Sequence, residues 1–292
     1  MRRRSFMGVT LGLCGCASGP GPAVRRTWAE RKAAYATRLR ERGPSPGRWK
    51  PQTPPADVRE VRYTSAGREL LAWYAAPPGV TGAPGLVYFH GEFSFAAWDF
   101  AQVRPFLAAG FAVMTPALRG ENGNPGDFEL MYGEVDDGAA AVRWLAAQPE
   151  VDARRLHTLG HSAGGGVSAL LALVPDLPLV LTASVGGIYT PQTFGRWSRF
   201  ADQKHLVRFD PALAEEAELR SLAANLIDMQ RPHRAYVGAE DAAILDNARG
   251  AAAEARAIAA PFTLIEVAGD HERSLQPGVA AYLADLTRGT GP

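Results

Sequence analysis

Cysteine is almost absent from this chain of 292 residues, which has only two, Cys14 and Cys16. Both lie near the N-terminus, so the rest of the chain has no thiol for a disulfide bond, a cysteine nucleophile or a thiolate metal site. The chain also lacks an excess of one charge, because 31 basic residues accompany 30 acidic ones. That balance gives no electrostatic basis for binding nucleic acid. We expect no metal ion and no organic cofactor.

The N-terminus has a basic start, Arg2 to Arg4, but its apolar stretch Met7–Leu13 is too short to span a bilayer. Residues 1–15 are therefore predicted to be a signal peptide, to be left out of fold reasoning. The run Arg3–Met7 resembles the twin-arginine export signal, R-R-x-F-[L/M]. That pattern has Ser or Thr where Arg2 stands, so the general secretion route stays open.

Both cysteines lie at the end of this segment. The sequence Leu13-Cys14-Gly15-Cys16 resembles a bacterial lipobox, in which a small residue precedes the lipidated cysteine. Gly15 meets that requirement for Cys16. The resemblance implies a lipid anchor at Cys16 and a location in the cell envelope or periplasm, with soluble export as the alternative.

The remaining sequence has the composition of a globular protein, 47% hydrophobic and 21% charged. We expect residues 16–55 to form a tether, a helix over Thr27–Arg42 and a proline-rich linker, and residues 56–288 to form the folded domain. Two alternating runs, Val58–Tyr63 and Glu69–Ala75, predict an opening hairpin. Repeated strand–helix units follow, which predicts an α/β fold: a mostly parallel central sheet covered by helices on both faces.

One segment interrupts this alternation. Residues 188–230 are predicted to form a small insertion that caps the carboxyl edge of the sheet, where ligands bind in such folds. Pro211–Met229 within it is predicted to be a pair of helices. Arg196 and Arg199 in the insertion favour anionic or aromatic substrates under one interpretation, and form an ordinary solvated face under the other.

A G-x-S-x-G pentapeptide, Gly160-His161-Ser162-Ala163-Gly164, is the most informative motif. A strand-like run precedes it and a helix-like run follows it. A sharp strand-to-helix turn is the setting in which a serine hydroxyl is exposed as a nucleophile. Glycines at both ends of the motif allow the strand and the helix to approach closely. Ser162 is therefore the candidate nucleophile, and an ordinary turn with a serine cap is the alternative.

A serine nucleophile needs a histidine base, and in enzymes with this turn the histidine follows the serine in the chain. Three histidines do so. His205 lies in the insertion, and His233 opens a strand at its amino end. His271 follows the last predicted strand at the carboxyl edge, so it is the candidate base.

The acid that orients this histidine is expected after the preceding strand, where the sequence reads Gly238-Ala239-Glu240-Asp241. Asp241 is the favoured acid and Glu240 its rival. Asp270 adjoins His271, but neighbouring side chains point apart, so we expect Asp270 not to be the acid.

A tetrahedral intermediate needs two backbone N–H donors. Ala163, directly after the nucleophile, is one candidate. The other is the amide of Glu92, in the loop His90-Gly91-Glu92 that follows a predicted strand. A carboxylate beside an oxyanion is unfavourable, so the Glu92 side chain is expected to turn away. His90 is expected to brace this loop.

Together these motifs resemble the α/β-hydrolase superfamily, and within it the prolyl oligopeptidase-type and dienelactone hydrolase-type enzymes, over about Ala56–Leu286. Leu118–Phe128 resembles the R-G-x-G-x-x-G-x-x-F loop of the peptidase group, with the glycine register shifted at Asn122. Only about forty residues separate the signal peptide from the domain, too few for the propeller that screens substrates in prolyl oligopeptidases.

The resemblance implies a serine hydrolase that cleaves an ester or an amide bond of a small or medium acyl or peptidyl substrate through an acyl-enzyme. Esterase and peptidase use the same constellation, and both stay open. A non-catalytic, lipid-anchored binding module on a hydrolase fold is the alternative function. The lipid anchor is the only membrane contact expected, and the sequence gives no oligomeric state.

Overall fold

The structure is a computed structural model that describes residues 25–288. The expected signal peptide and the lipidation site at Cys16 lie outside the described residues, so both stay predictions. No helix within residues 25–288 is long and apolar enough to cross a membrane.

One sheet of eight strands organises the described chain. Its spatial order is β1-β2-β4-β3-β5-β6-β7-β8. β1 pairs antiparallel with β2, as does β2 with β4, and all the other pairs are parallel. This architecture confirms the predicted mostly parallel sheet. The strands are β1 (Arg59–Ser65), β2 (Arg68–Ala75), β3 (Ala83–Phe89), β4 (Ala112–Pro116), β5 (Val151–His161), β6 (Leu179–Val185), β7 (His233–Gly238) and β8 (Phe262–Val267).

Helices cover the sheet on both faces, as predicted. One core cluster contains buried residues of α4, α5 and α8, and the other contains those of α2, α3 and α9. The sheet needs this double cover because parallel strands are apolar on both sides. The helices are α1 (Trp28–Ala34), α2 (Ala97–Gln102), α3 (Arg104–Ala108), α4 (Gly133–Ala146), α5 (Ser162–Leu170), α6 (Gln192–Trp197), α7 (Ala214–Glu218), α8 (Ala242–Ala257) and α9 (Leu275–Arg288).

The opening hairpin turns where the sequence predicts it. Ala66 and Gly67 connect β1 to β2 with φ values of 46° and 74°. Two consecutive left-handed residues give the type of two-residue turn whose twist matches that of paired strands. Arg59 of β1 then faces Tyr74 of β2, which sets the register of the antiparallel edge.

Two predicted helical segments differ from those observed, and a third helical stretch is interrupted. The helix expected over Thr27–Arg42 is α1 and ends at Ala34. Between β3 and β4, the helical stretch is divided into α2 and α3 at Val103. Proline cannot donate an i→i−4 hydrogen bond, so Pro105 fits at the second position of α3 but not within a longer helix. Pro211–Met229 holds the short helix α7 and a 3-10 helix over Ala223–Asp228.

Residues 16–55 are expected to form a tether, a helix and a proline-rich linker, and the described part of them, from residue 25, is bonded to the body of the protein. Trp28 is 2% exposed, and its indole donates to the Leu219 carbonyl over 3.0 Å. Arg31 pairs with Glu218 at 2.9 Å. The N-terminal segment is thereby bonded to the insertion between β6 and β7. The division of the chain into domains at residue 56 stays a prediction.

Candidate active site

Ser162 lies at the sharp turn between β5 and α5, with φ of 53°. A left-handed backbone is costly for a residue with a Cβ, and such strain clusters at functional sites. The flanking glycines explain how the turn closes. A Cβ on Gly160 would overlap the carbonyl of Gly164, and a Cβ on Gly164 would overlap the carbonyls of Phe89 and His90. The two glycines of the motif are therefore required because a side chain at either position would overlap the neighbouring backbone.

His271 follows β8 and reaches the serine. Its Nε2 lies 3.0 Å from the Ser162 hydroxyl, and its Nδ1 lies 2.7 Å from Oδ2 of Asp241. The imidazole lies over Gly186, where a Cβ would stand 3.1 Å from the ring. Gly186 has φ of 58°, a left-handed conformation that glycine adopts readily. Its lack of a side chain also leaves space for the His271 ring.

Asp241 and its rivals have different partners. Asp241 caps α8, where its Oδ1 accepts from the Ile244 amide over 3.3 Å, while Oδ2 faces His271. The Arg273 guanidinium binds both Glu240 at 2.8 Å and Asp270 at 2.9 Å. Of the three acids considered from sequence, the structure thus brings only Asp241 to the imidazole.

The two histidines set aside from sequence lie elsewhere. His205 is exposed in a 3-10 helix of the insertion. His233 is fully buried, and its ring nitrogens lie 2.9 Å from the Thr182 hydroxyl and 2.8 Å from the Ser184 hydroxyl. Burial lowers the pKa of His233 to about 3. A neutral imidazole with both nitrogens bonded is a core element and not a base for Ser162.

His161, the second residue of the motif, has a larger part in the site than its sequence position indicates. Its ring centroid lies 5.2 Å from that of His271, and its Nε2 lies 3.3 Å from the His271 carbonyl oxygen. Burial and, to a smaller extent, the neighbouring His271 lower the pKa of His161 to about 4. His161 is therefore neutral at pH 7. It packs against the His271 loop and places no positive charge beside the His271 ring.

Within residues 25–288, one group of side chains has the spacing of a metal site, His161, His271 and Glu272, whose ligand atoms lie within 4.8 Å of one another. Two of these three belong to the arrangement around Ser162. A metal ion bound there would be coordinated by the His271 imidazole, the same ring that lies beside the Ser162 hydroxyl.

The loop after β3, residues 91–96, lies directly over the serine, and we call it the oxyanion loop. A Cβ on Gly91 would stand 3.4 Å from the Ser162 Cβ. Glu92 and Phe93 are both left-handed, with φ of 58° and 64°. The Glu92 side chain is exposed, so its carboxylate turns to solvent as expected. Among the described residues, no acceptor is found for the amide of Ala163 or of Glu92, which leaves both amides open to a ligand oxygen.

His90 braces the oxyanion loop from below. Its Nδ1 lies 2.7 Å from the Gly91 carbonyl, and its Nε2 lies 3.1 Å from Glu121. Burial disfavours the imidazolium, but the Glu121 carboxylate, Asp99 and the Gly91 carbonyl together outweigh that effect and raise the pKa of His90 to about 9. His90 is thus held as a cation in a buried ion pair, which fits the bracing role predicted for it.

A small pocket opens beside Ala163. It offers only about 20 Å³ to the centre of a water-sized sphere, room for about one water molecule or a small apolar group. Its walls are mostly apolar, with two carboxylates, and comprise His90, Phe93, Leu118, Glu121, Phe128, Leu130, Met131, Glu134, Ala163, Gly164 and Val167.

Sequence reasoning missed one part of this pocket's wall, formed by Leu130, Met131 and Glu134. Leu130 and Met131 are both left-handed, with φ of 50° and 64°, and Glu134 accepts from the amides of Glu129 and Tyr132 over 2.7 and 3.1 Å. Burial, with the Glu129 carboxylate, raises the pKa of Glu134 to about 7. None of these residues stands in a recognisable motif. The Gly-rich loop that precedes them, Leu118–Phe128, was recognised in the sequence. Its Arg119 side chain binds Asp137 through two hydrogen bonds of 2.8 Å.

The sequence matches the family described as X-Pro dipeptidyl-peptidase (S15 family) over residues 25–243. An uncharacterized peptidase of Bacillus subtilis (strain 168), YtmA, is 28% identical over 133 residues, which are 44% of this chain and 50% of that protein. The chain spans about half the length of the curated relatives it matches.

Solved structures share the fold. A puromycin-hydrolyzing peptidase of Mycobacterium tuberculosis superposes with a TM-score of 0.69 at 20% identity, over 80% of this chain and 39% of that one. An esterase of Thermogutta terrifontis superposes with a TM-score of 0.63 at 17% identity, over 80% of this chain and 95% of that one. Together with the strand order, these likenesses show an α/β-hydrolase fold.

Proposed function

Since this chain belongs to the S15 family of X-Pro dipeptidyl-peptidases and is a serine hydrolase, we propose that Ser162, His271 and Asp241 are its catalytic triad. The observation that carries the proposal is the continuous row of contacts from the Ser162 hydroxyl to His271 at 3.0 Å and from His271 to Asp241 at 2.7 Å. A base and an orienting acid in that order are what a serine hydroxyl needs to act as a nucleophile at neutral pH.

In the proposed reaction, the Asp241 carboxylate accepts from Nδ1–H of His271 and keeps Nε2 free to take a proton. The Ser162 oxygen attacks an ester or amide carbonyl while its proton passes to Nε2. The amides of Ala163 and Glu92 donate to the oxyanion. His271 then protonates the leaving alcohol or amine, and the acyl group stays on Ser162. Water, deprotonated by His271, attacks the acyl-enzyme and releases the acid.

The pocket beside Ala163 supports a small acyl group or a small apolar side chain as the part of the substrate that lies next to the scissile carbonyl. Its walls are fixed by close contacts, since a Cβ on Gly166 would overlap the Met131 sulfur. The fold neighbours named as a peptidase and as an esterase are consistent with amides and esters alike. We propose short-chain esters and amides with small residues, X-Pro amides included, as the substrate class.

A labelling experiment tests the triad. A fluorophosphonate probe is expected to label the wild-type protein and not Ser162→Ala. Ser198→Ala is a matched control, because Ser198 donates to the Gly195 carbonyl within the insertion and is expected to leave labelling unchanged.

The same variants define the substrate. A panel of p-nitrophenyl esters with acyl chains of two to eight carbons, beside aminoacyl and X-Pro anilides, is expected to give the highest kcat/KM with the shortest acyl groups. Turnover that is equal in the wild type and in Ser162→Ala would exclude the triad. If the wild type turns over no substrate in the panel, the non-catalytic, lipid-anchored binding module is the better interpretation.

A further inference from the structure

The oxyanion loop is held from outside by a segment far away in the sequence. Residues 43–52, which we call the strap, run across it. The Ser45 hydroxyl donates to the Phe93 carbonyl, and the Ser94 hydroxyl donates to the Arg48 carbonyl over 3.2 Å. Just after the loop, the amide of Ala97, the first residue of α2, donates to the Gln52 side chain over 2.7 Å. The strap is thus joined to the loop at two places and to the start of α2 at a third.

Gly47 makes the closest approach between the two segments. A Cβ on Gly47 would overlap the Phe93 carbonyl and stand 2.8 Å from the Ser94 Cβ. Gly47 has a negative φ, so alanine could adopt its backbone conformation. Glycine is needed at this position only because there is no space for a Cβ. The strap therefore fits the backbone of the oxyanion loop without a gap.

The loop needs external support because two consecutive residues, Glu92 and Phe93, are left-handed. Such a conformation persists only where surrounding structure determines it. From the inside, Asn122 bonds both backbone groups of Phe95, at 2.8 and 2.7 Å. Those bonds fix the end of the loop. The Phe93 carbonyl, two peptide units after the Glu92 amide proposed as the oxyanion donor, is bonded to the strap.

The strap is itself fixed at its start. The Arg208 guanidinium, from the insertion between β6 and β7, donates to the carbonyls of Gly43 and Pro44 over 3.0 and 2.8 Å. The Ser45 amide donates to the Gly120 carbonyl over 2.9 Å, so the Gly-rich loop also holds it. The strap thus connects the insertion and the Gly-rich loop to the oxyanion loop.

We infer that Ser45 and Gly47 are positioning residues for catalysis: they fix the backbone of residues 92 and 93 so that the Glu92 amide faces the oxyanion. The inference rests on the proposed function. It extends that function to a segment that the sequence indicates only as a linker. An oxyanion donor acts on the tetrahedral state more than on bound substrate, so displacing it lowers kcat and leaves KM nearly unchanged.

The test uses the full chain with Gly47→Ala. The new methyl group is expected to push the Phe93 carbonyl away and to lower kcat on p-nitrophenyl acetate by about 10- to 100-fold, since loss of one oxyanion donor costs about 100- to 1,000-fold. KM is expected to stay within about threefold. The inhibition constant of phenylboronic acid, which forms a tetrahedral adduct on a nucleophilic serine, is expected to rise in parallel with the fall in kcat. A purely structural role would not link these two quantities.

Gly250→Ala is the matched control. Gly250 is exposed on α8, and a Cβ there meets nothing within 4 Å. This variant is expected to keep the wild-type kcat and boronate affinity. Thermal unfolding of each variant establishes that it is folded. If Gly47→Ala does not fold, Ser45→Ala decides, with an expected fall in kcat of about 3- to 10-fold that Ser45→Thr restores through its hydroxyl.

Failure of the strap inference and failure of the proposed function give different results. If the folded strap variants keep wild-type kcat and boronate affinity while Ser162→Ala is inactive, the strap has no positioning role and the proposed function stands. If Ser162→Ala is as active as the wild type, the proposed function itself is lost.

Discussion

Asp241 is the carboxylate whose position sets the state of the His271 ring. Its two oxygens have separate partners, the Ile244 amide at the start of α8 and the imidazole at 2.7 Å. The helix cap fixes the carboxylate, and the carboxylate fixes the tautomer of the ring. Glu240 and Asp270 stand close in sequence but are occupied by Arg273 at the surface.

Replacement of Asp241 by asparagine is therefore expected to be far more harmful than the corresponding changes at its neighbours. The amide of Asp241→Asn can hold the wrong tautomer, so kcat is expected to fall by about 1,000- to 10,000-fold with KM little changed. Glu240→Gln and Asp270→Asn are the matched controls, each expected to stay within about twofold in kcat. Steady-state kinetics on one ester measure all three. A larger loss in Glu240→Gln than in Asp241→Asn would reverse the choice of acid.

The residues around the serine differ in how far sequence could predict them. Ser162, His271 and Asp241 follow strand ends in a fixed chain order, and local rules were enough to select them. The pKa values of Glu134 and His161 are shifted mainly by burial, and burial depends on which segments fold over these residues. Sequence gives no measure of that, so their shifted pKa values could not be predicted.

Among the structural elements, the insertion between β6 and β7 is bonded to the pocket wall by one buried side chain, Arg220. Its Nε donates to the carbonyls of Glu129 and Leu130 over 3.0 and 3.1 Å. Its Nη1 lies 2.6 Å from Glu216, and its Nη2 donates to Thr37 over 2.7 Å. Arg220 thus joins α7, the N-terminal segment and the loop that shapes the pocket.

Removing this guanidinium is expected to destabilise the fold strongly. Arg220→Met leaves the Glu216 carboxylate buried without a countercharge, so we expect a loss of about 3–5 kcal/mol in the free energy of unfolding. Arg249→Met is a matched control, because Arg249 pairs with Glu266 at the surface, where a pair contributes about 0–1 kcal/mol. Urea unfolding measures both. A loss below about 1 kcal/mol in Arg220→Met would show that the insertion does not depend on this pair.

The sheet was predictable because each parallel strand is a short apolar run of its own, bounded by turn residues. The N-terminal segment was not. Residues after Ala34 could continue α1 by composition, but the Tyr35 hydroxyl and the Arg38 amide bond to Glu216 instead, at 2.9 and 2.6 Å. Those partners lie about 180 residues away in the sequence, and no local pattern reports them.

At the scale of the whole molecule, buried titratable groups make stability depend on pH in two opposing ways. His161 and His233 have folded pKa values of about 4 and about 3, lowered by burial. The unfolded chain therefore binds more protons than the folded one below pH 6.5. Stability falls as the pH drops through that range, by up to about 3 and about 5 kcal/mol for the two groups.

Glu134 acts in the other direction. Burial, with the Glu129 carboxylate, raises its folded pKa to about 7, so between pH 4.5 and 7 the folded state binds the extra proton. Its contribution to stability is present at low pH and is lost as the pH rises, by about 3 kcal/mol in all. The two effects offset each other in part between pH 4.5 and 6.5. Below pH 4.5 Glu134 is protonated in the folded and in the unfolded chain, so its contribution no longer changes with pH.

Glu134→Gln isolates the carboxylate from this balance. Glutamine stays neutral at every pH, so the unfolding free energy of the variant relative to the wild type is expected to increase by about 3 kcal/mol from pH 4.5 to pH 8. Urea unfolding at those two pH values measures the change. Glu254→Gln, at an exposed position of α8, is expected to show no such trend. A difference for Glu134→Gln that is constant within about 1 kcal/mol would mean that the pKa of Glu134 is the same in the folded and the unfolded chain, so that burial in the pocket wall does not disfavour its charge.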